Sequence, residues 1–168
     1  MAQSSVDAIK ELRTQTGAGI MDCKRALEEV DGDVARAYEL LRERGVALAN
    51  KKATRDTNEG IIDSYIHAGS KVGAIIELSC ETDFVARTPE FKELAHDLAM
   101  QIAAMSPVYI ESQDIPEGST LSAQDVCLLE QTFIKDPSKT IRELINDVVA
   151  RVGENVIVRR FHRFALGE

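Results

Sequence analysis

The sequence predicts an α+β protein in which a small helical unit precedes a mixed domain of strands and helices. Apolar residues recur at helical spacing through about the first fifty residues, and from Gly60 onward they recur at every second residue, which is typical of half-buried strands. We therefore predict a three-helix bundle over residues 1–53, a linker over residues 54–60 and an α+β domain over residues 61–168. In that domain we expect a three-stranded antiparallel sheet covered by helices.

The first unit contains three predicted helices. Apolar side chains spaced three or four residues apart give each helix one face that can be buried. Serine or aspartate stands where the first and third helices start, and glycine follows the first two helices. The predicted boundaries are, in chain order, a cap at Ser4 or Ser5 with a stop at Gly17-Ala18-Gly19, then Ile20 to Val30, then a cap at Asp33 with an end at Leu41.

The stretch after the third helix is polar and has no periodic apolar pattern. Lys51, Lys52 and Arg55 lie in it, and we expect their charges to be solvated. A bundle this small has little core, so we expect part of its stability to come from the neighbouring domain or from a partner.

The mixed domain is predicted to begin with a hairpin that leads into a short connection. A strand over Ile61–Ile66 turns and returns as Val72–Cys80, and the next helix begins at Thr88-Pro89 with threonine as its cap. Asp83 and Phe84 therefore fall between a strand and a helix, where binding residues are frequent. The alternative is that Phe84 folds into the core and Asp83 caps a turn.

The rest of the domain is predicted to contain a long helix, a short helix, a capped helix and a third strand. Pro107 ends the long helix. Thr140 with Glu143 forms a capping-box pattern, and Gly153 closes that helix. The other predicted segments are the apolar stripe Phe91, Leu94, Leu98, Ile102 and Met105, a loop at Pro116–Ser119, a short helix within Leu121–Leu129, and a strand over Val156–Phe164. A sheet of this kind leaves edges that must be paired or covered.

The composition predicts a soluble globular protein whose partner is another protein. The chain has 168 residues, of which 44% are hydrophobic and 29% charged, and a formal net charge of -8 at pH 7. Broad nucleic-acid binding needs a dense lysine and arginine surface, so this charge argues against a direct nucleic-acid partner. No apolar run is long enough to span a bilayer, and Met1–Asp7 does not resemble a signal peptide, so we predict a cytoplasmic protein without a membrane partner.

No pattern in the sequence predicts catalysis. The turn Gly17-Ala18-Gly19 follows a helix and lacks the lysine and hydroxyl residue of a phosphate-binding loop. The cysteines and histidines are scattered without ligand spacing; they are Cys23, Cys80, Cys127, His67, His96 and His162. We therefore predict buried free thiols, no metal site, no cofactor and no enzymatic activity.

Two long motifs resemble the signatures of a known family. Leu12–Leu27, with the sequence LRTQTGAGIMDCKRAL, resembles the N-terminal signature of bacterial elongation factor Ts, and Glu81–Ala86 resembles the second signature of that family. The resemblance continues through the turn His67–Ser70 and the run Gly153–Phe161, so it covers nearly the whole chain. It implies a ubiquitin-associated-like fold for the bundle. Longer members carry two related halves of the sheet domain, whereas this chain has length for one and resembles a short form.

The resemblance implies a guanine-nucleotide exchange factor for elongation factor Tu in translation elongation. Phe84 would enter an apolar pocket of the GTPase, while Asp83, flanked by Thr82 and Val85, would disturb the contacts that hold its magnesium ion. GDP would then leave, and the factor would stay bound until GTP enters. The alternative function is a non-catalytic scaffold built on a ubiquitin-associated-like module, in which Phe84 would be buried.

The resemblance also implies a second contact and a homodimer. Arg13, Ile20 and Met21 lie in the N-terminal signature and are the candidates for contact with elongation factor Tu, although Ile20 and Met21 could instead begin the buried face of the second helix. Two copies of a short form would rebuild the larger surface of the duplicated members, and twofold pairing is the commonest arrangement. The candidates for the dimer interface are Phe161, His162 and Phe164.

Overall fold

The computed structural model describes residues 6–168 and begins with three helices. Helix α1 spans Val6–Thr16, α2 spans Ile20–Glu29 and α3 spans Val34–Lys52. The Asp33 side chain accepts a hydrogen bond from the Arg36 N–H at 3.1 Å, which confirms it as the cap of α3. The predicted cap at Ser4 or Ser5 lies outside the described residues.

Helix α3 is longer than the sequence pattern predicts. It continues past Leu41 to Lys52, so the predicted end was wrong. Three charged residues in a row, 42–44, interrupt the apolar period there, but the second half of α3 packs against a helix of the mixed domain and is stabilised by that contact. The connection to the first strand is correspondingly short, and the predicted linker boundaries remain a prediction.

The three-stranded antiparallel sheet is confirmed. Strand β1 spans Glu59–Ile66, β2 spans Val72–Cys80, and the last strand of the chain spans Val156–Ala165, in the spatial order first, second, last. The register places Ile62 opposite Glu77 and Ile76 opposite Phe161, with a bulge after Glu77. The middle strand is paired on both sides, and the two outer strands form the edges.

Helices cover one face of this sheet. A single turn, α4, spans Asp83–Ala86, and the long α5 spans Pro89–Met105. Thr88 accepts a hydrogen bond from the Phe91 N–H at 3.3 Å, as its predicted role as a cap requires. The predicted stripe of α5 is buried except for Met105, which lies in the last turn of the helix and is 47% exposed.

The segment between residues 106 and 140 is less regular than predicted. A 3-10 turn spans Ser112–Asp114. The single helix predicted within Leu121–Leu129 is instead a short helix, α6, at Ala123–Val126, followed by a second 3-10 turn at Leu128–Glu130. The structure adds a small hairpin that the sequence pattern does not predict, with β3 at Thr132–Phe133 and β4 at Asp136–Thr140. Strand β4 contains a proline and no apolar residue, so it carries no strand signal.

Helix α7 spans Ile141–Val152 and precedes the last strand, which is β5. The capping box is confirmed, because the Glu143 N–H donates to Thr140 Oγ1 at 3.2 Å and the Thr140 N–H donates to Glu143 Oε2 at 2.9 Å. Gly153 closes the helix in the left-handed conformation with φ of 76°.

The bundle has its own small apolar cluster and rests on α7. Arg42 of α3 pairs with Glu143 at 2.8 Å, and the Arg151 Nε donates to the Thr16 carbonyl at 3.4 Å. Lys52 was expected to be solvated, but it is buried and its ammonium donates to the Gly153 carbonyl. These contacts join the first unit to both ends of α7, at Glu143 in its first turn and at Arg151 and Gly153 where it closes.

Candidate partner-binding site

Phe84 is the exposed aromatic at the junction of β2 and α5. It is 79% exposed, whereas the two residues that follow it, Val85 and Ala86, are buried in the main apolar cluster. The connection is therefore a single helical turn with one side anchored in the core and Phe84 on the other side. The alternative in which Phe84 folds into the core disagrees with this geometry. Val85, predicted as a contact residue, is an anchor of the turn in the free chain.

Asp83 places an acid beside this aromatic. Its carboxylate pairs with Arg87 one turn later at 2.8 Å, and both side chains remain substantially exposed. An exposed pair of this kind contributes little to stability, so the carboxylate can exchange Arg87 for another partner at small cost. Asp83 and Phe84 together present a charge and an apolar wedge at the same tip.

Thr82 is held by the turn that precedes β5. Its backbone N–H donates to Glu154 Oε2 at 2.9 Å, and its hydroxyl donates to Glu154 Oε1 at 2.7 Å. The thiol of Cys80 donates to the Thr82 carbonyl at 3.1 Å. Burial, reinforced by the charge of Glu154, raises the pKa of the Cys80 thiol to about 11. Thr82 is thus held from two sides, by Cys80 of β2 and by Glu154 of the turn before β5.

Glu81 and Asn155 complete this contact between the end of β2 and the start of β5. The Asn155 N–H donates to Glu81 Oε1 at 2.7 Å, and the Asn155 side-chain amide donates to the carbonyls of Ala53 and Arg55 at 3.3 and 3.0 Å. Sequence reasoning assigned no role to Glu154 or Asn155. The pattern that could have indicated a role is a carboxylate and an amide directly after the helix-closing glycine, since partly buried polar side chains need hydrogen-bond partners.

The predicted contact residues of the bundle lie on either side of the turn between α1 and α2. Ile20 and Met21 are the first residues of α2 and are 55% and 61% exposed, while the buried face of that helix begins with Cys23. The interpretation of Ile20 and Met21 as core residues therefore disagrees with the structure. Arg13 is exposed in the last turn of α1, and its carbonyl accepts the Gly17 N–H at 2.7 Å.

The three candidate dimer residues do not share one face of β5. Phe161 is half-buried and packs against the main core cluster, whereas His162 and Phe164 are exposed on the opposite face of the sheet. That outer face also carries exposed Ile66 of β1, which lies opposite Gly73 as Phe164 does, so the face is apolar toward that end. Phe161 thus belongs to the fold, and the dimer interface itself remains a prediction.

Residues 6–168 contain neither a metal-binding cluster nor a membrane-spanning helix, and their cysteines are free. Among residues 6–168, no group of three or more histidine, cysteine, aspartate or glutamate side chains is arranged to hold a metal ion. Cys23, Cys80 and Cys127 are free and buried, and burial raises the pKa of each thiol. No helix in the same range is long and apolar enough to cross a membrane.

A cavity of about 300 Å³ lies between the bundle and α7, and it is separate from the tip. Ala18, Leu41 and Ala150 contribute to its lining, whereas neither Asp83 nor Phe84 does. The exposed side chain of Phe84 thus lies outside this cavity.

The fold and the site define a class of α+β proteins that combine an exposed aromatic tip with a three-helix bundle. A family model described as Elongation factor TS matches residues 3–124 and 119–168 of the chain. The chain belongs to the elongation factor Ts family.

Relatives named Elongation factor Ts match along nearly their whole length. The protein of Methylacidiphilum infernorum is 50% identical over 197 residues, covering 100% of this chain and 98% of the relative. The protein of Thermotoga petrophila is 47% identical over 192 residues, covering 98% and 96%, and that of Thermoanaerobacter sp. strain X514 is 45% identical over 194 residues, covering 98% and 95%. Each alignment is longer than the chain, so the relatives contain residues without a counterpart here.

Proposed function

We propose that this chain is the guanine-nucleotide exchange factor for elongation factor Tu in translation elongation. The observation that carries the proposal is the exposure of Phe84 on an anchored turn beside Asp83. Membership of the elongation factor Ts family supports the assignment of the partner. A translation factor of this kind acts in the cytoplasm, which we propose as its location.

The proposed mechanism is the expulsion of a metal ion by a wedge. Magnesium bridges nucleotide phosphates to a GTPase and demands near-ideal octahedral geometry, so a small displacement of its ligands weakens it. Phe84 enters an apolar pocket between helices of the GTPase domain, and Asp83 competes for the neighbouring polar contacts. GDP then loses its metal and leaves, and the factor remains bound until GTP enters.

The exchange is accelerated without being driven in one direction. If the factor weakens nucleotide binding by a given ratio, then nucleotide weakens binding of the factor by the same ratio. GTP, as the incoming nucleotide, therefore displaces the factor. No covalent step by this chain is needed, and its buried thiols with raised pKa values are poor nucleophiles, so we propose that it is not an enzyme.

The bundle supplies the second contact in this proposal. Ile20 and Met21 form an exposed apolar pair at the start of α2, and Arg13 lies across the same turn. The bundle packs on α7 through α3, with Arg42 and Arg151 adding polar contacts, so both contact sites belong to one scaffold. Two contacts fixed on one scaffold bind a partner with a smaller loss of conformational freedom.

We also propose a homodimer that forms through the outer face of the sheet. Phe164 lies opposite Gly73 across β2 and β5, and Ile66 lies opposite the same glycine across β1 and β2, which gives an apolar row spanning all three strands. A Cβ at Gly73 would lie 2.5 Å from Ile66 Cδ1, so the absence of a side chain at this position leaves room for Ile66. A twofold axis over such a row brings identical apolar surfaces together.

The decisive experiment measures release of fluorescent GDP from elongation factor Tu. Wild-type chain should accelerate release strongly, and Phe84→Ala should remove most of that acceleration while changing the free energy of unfolding by less than about 1 kcal/mol, because the side chain is exposed. Val108→Ala, which truncates another exposed apolar residue, is the matched control and should act as wild type. No acceleration by folded wild-type chain would contradict the proposal.

A further inference from the structure

The N–H, the hydroxyl and the carbonyl of Thr82 each have a hydrogen-bond partner. Thr82 is the N-cap residue of α4, yet its hydroxyl makes no capping bond and donates instead to Glu154. Its N–H donates to the other oxygen of the same carboxylate, and its carbonyl accepts from the Cys80 thiol and the Ala86 N–H. The residue that starts the tip is thus fixed by a side chain from a distant part of the sequence.

Glu154 is suited to this task because its carboxylate has no competing cation. Within residues 6–168, it forms no ion pair, so its two oxygens accept only from Thr82. Hydrogen bonds to a charged acceptor are stronger than those between neutral groups. A bidentate acceptor also fixes the direction of Thr82, which a single bond would leave free to rotate.

The backbone around Glu154 is itself held in place. The residue before it, Gly153, closes α7 in the left-handed conformation, and its carbonyl accepts from Lys52. The residue after it, Asn155, bonds Glu81 through its N–H and two carbonyls of residues 53–55 through its side chain. Through its hydrogen bonds, Glu154 therefore holds Thr82 in a fixed position relative to α3, α7 and β5.

We infer that Glu154 is a positioning residue for nucleotide exchange, which holds Thr82 so that α4 presents Phe84 in the conformation that binds the partner. This inference rests on the proposed function. Without the carboxylate, the Thr82 N–H and hydroxyl lose their common acceptor, so Thr82 is no longer fixed and the tip occupies several conformations. The apparent affinity for the partner then falls in proportion to the fraction of chains that present Phe84 correctly.

The test compares the dependence of GDP release on factor concentration in Glu154→Ala, Glu154→Gln and wild type. Loss of two charge-assisted hydrogen bonds should raise the half-saturating concentration about tenfold in Glu154→Ala, with the saturating rate unchanged. Glu154→Gln should recover most of the affinity, because the amide can accept from the Thr82 N–H and donate to its hydroxyl. Glu130→Ala, which removes a comparably half-buried carboxylate near the opposite end of α7, is the control and should match wild type.

The same substitution made in the Phe84→Ala variant separates a positioning role of Glu154 from a general loss of structure. In Phe84→Ala, removal of Glu154 should change the affinity for elongation factor Tu little, measured by direct binding because this background exchanges slowly, since the side chain that Glu154 positions is already absent. A further tenfold loss in that background would overturn the inference. So would Glu154→Ala with wild-type affinity, provided that wild-type chain accelerates release; failure of the wild-type chain itself would refute the proposed function and this inference with it.

Amide hydrogen exchange gives a measurement that does not depend on activity. The Thr82 N–H should exchange about tenfold faster in Glu154→Ala, while the amides of β2 from residues 74 to 79 keep their wild-type protection. Equal protection of Thr82 in both proteins would overturn the inference. Faster exchange throughout β2 would also overturn it, because the residue would then act on the whole sheet.

Discussion

At the scale of single residues, the tip combines groups whose roles are opposite although they are adjacent in sequence. Phe84 is exposed and its side chain contributes little to the stability of the fold, whereas Val85 is buried and anchors the same turn. The sequence pattern located both residues but could not say which of them points outward, since one helical turn has no measurable period. The hydrogen bond from the Thr82 N–H to Glu154 joins residues far apart in the chain, so local patterns could not reveal it.

The Cys80 thiol gives a prediction about pH at the same scale. Its pKa is about 11 in the folded chain against an ordinary value of 9.0. The unfolded chain therefore loses this proton first, and the contribution of the thiol to stability is complete below pH 9 and is lost as the pH rises toward about 11. The total loss is at most about 3 kcal/mol.

Cys80→Ala should show a shallower fall in stability over this range than wild type. The measurement is urea unfolding of both proteins at several values between pH 8 and about 11. Only the difference between the two curves is informative, because lysines and tyrosines titrate in both proteins. Parallel curves would show that the thiol ionises equally in the folded and unfolded states.

At the scale of elements, the hairpin of β3 and β4 depends on one buried side chain in α5. Gln101 is fully buried; its amide N–H groups donate to the Gln131 side chain and the Thr132 carbonyl, and its oxygen accepts the Ile134 N–H at 3.0 Å. A two-residue strand and a polar strand have no core of their own. Their position is set by this amide, which replaces the missing strand partner.

Gln101→Leu should therefore destabilise the protein although leucine is apolar and of similar size. It leaves the Thr132 carbonyl and the Ile134 N–H without their partner, at a cost of about 2 kcal/mol in the free energy of unfolding. Thermal or urea unfolding measures this value. Met100→Leu, a swap at the neighbouring half-buried position of α5, is the control and should change the stability by less than about 1 kcal/mol.

The elements that the sequence predicted well are those with strong local signals. The capping box at Thr140 and the cap at Thr88 fix the starts of α7 and α5, and β2 has both an alternating pattern and clear ends. The missed features are set by tertiary contacts. The second half of α3 is helical against α7, and Lys52 is buried because a carbonyl of another element accepts from it.

At the scale of the whole molecule, helices cover one face of the sheet and leave the other face open. The open face is apolar at the end that contains Ile66 and Phe164, and at its other end Glu77 pairs with Arg160 at 2.6 Å. The division of the sheet into a buried and an exposed side is readable from the alternation of β2 and β5. The alternation does not show which strand lies in the middle of the sheet, because strand order depends on the connections between strands and not on local pattern.

The proposed dimer predicts that Phe164→Glu converts the chain to a monomer with little loss of stability. A charge on an exposed apolar row repels its twofold copy, whereas the fold does not use the side chain, which is 68% exposed. Sedimentation velocity measures the change. Phe161→Ala should instead lower the free energy of unfolding by about 2 kcal/mol, since Phe161 packs against the core. A wild-type monomer at micromolar concentration would contradict the dimer.

The burial of all three cysteines has a practical consequence for chemical labelling. Each thiol is inaccessible and its pKa is raised, so the native chain should react slowly with maleimides and with mild oxidants. A cysteine introduced at an exposed position, such as Val108→Cys, would react far faster than the native thiols. A fluorophore could therefore be attached at one chosen point without first removing any natural cysteine, and the folded molecule would protect its own sulfur atoms during the reaction.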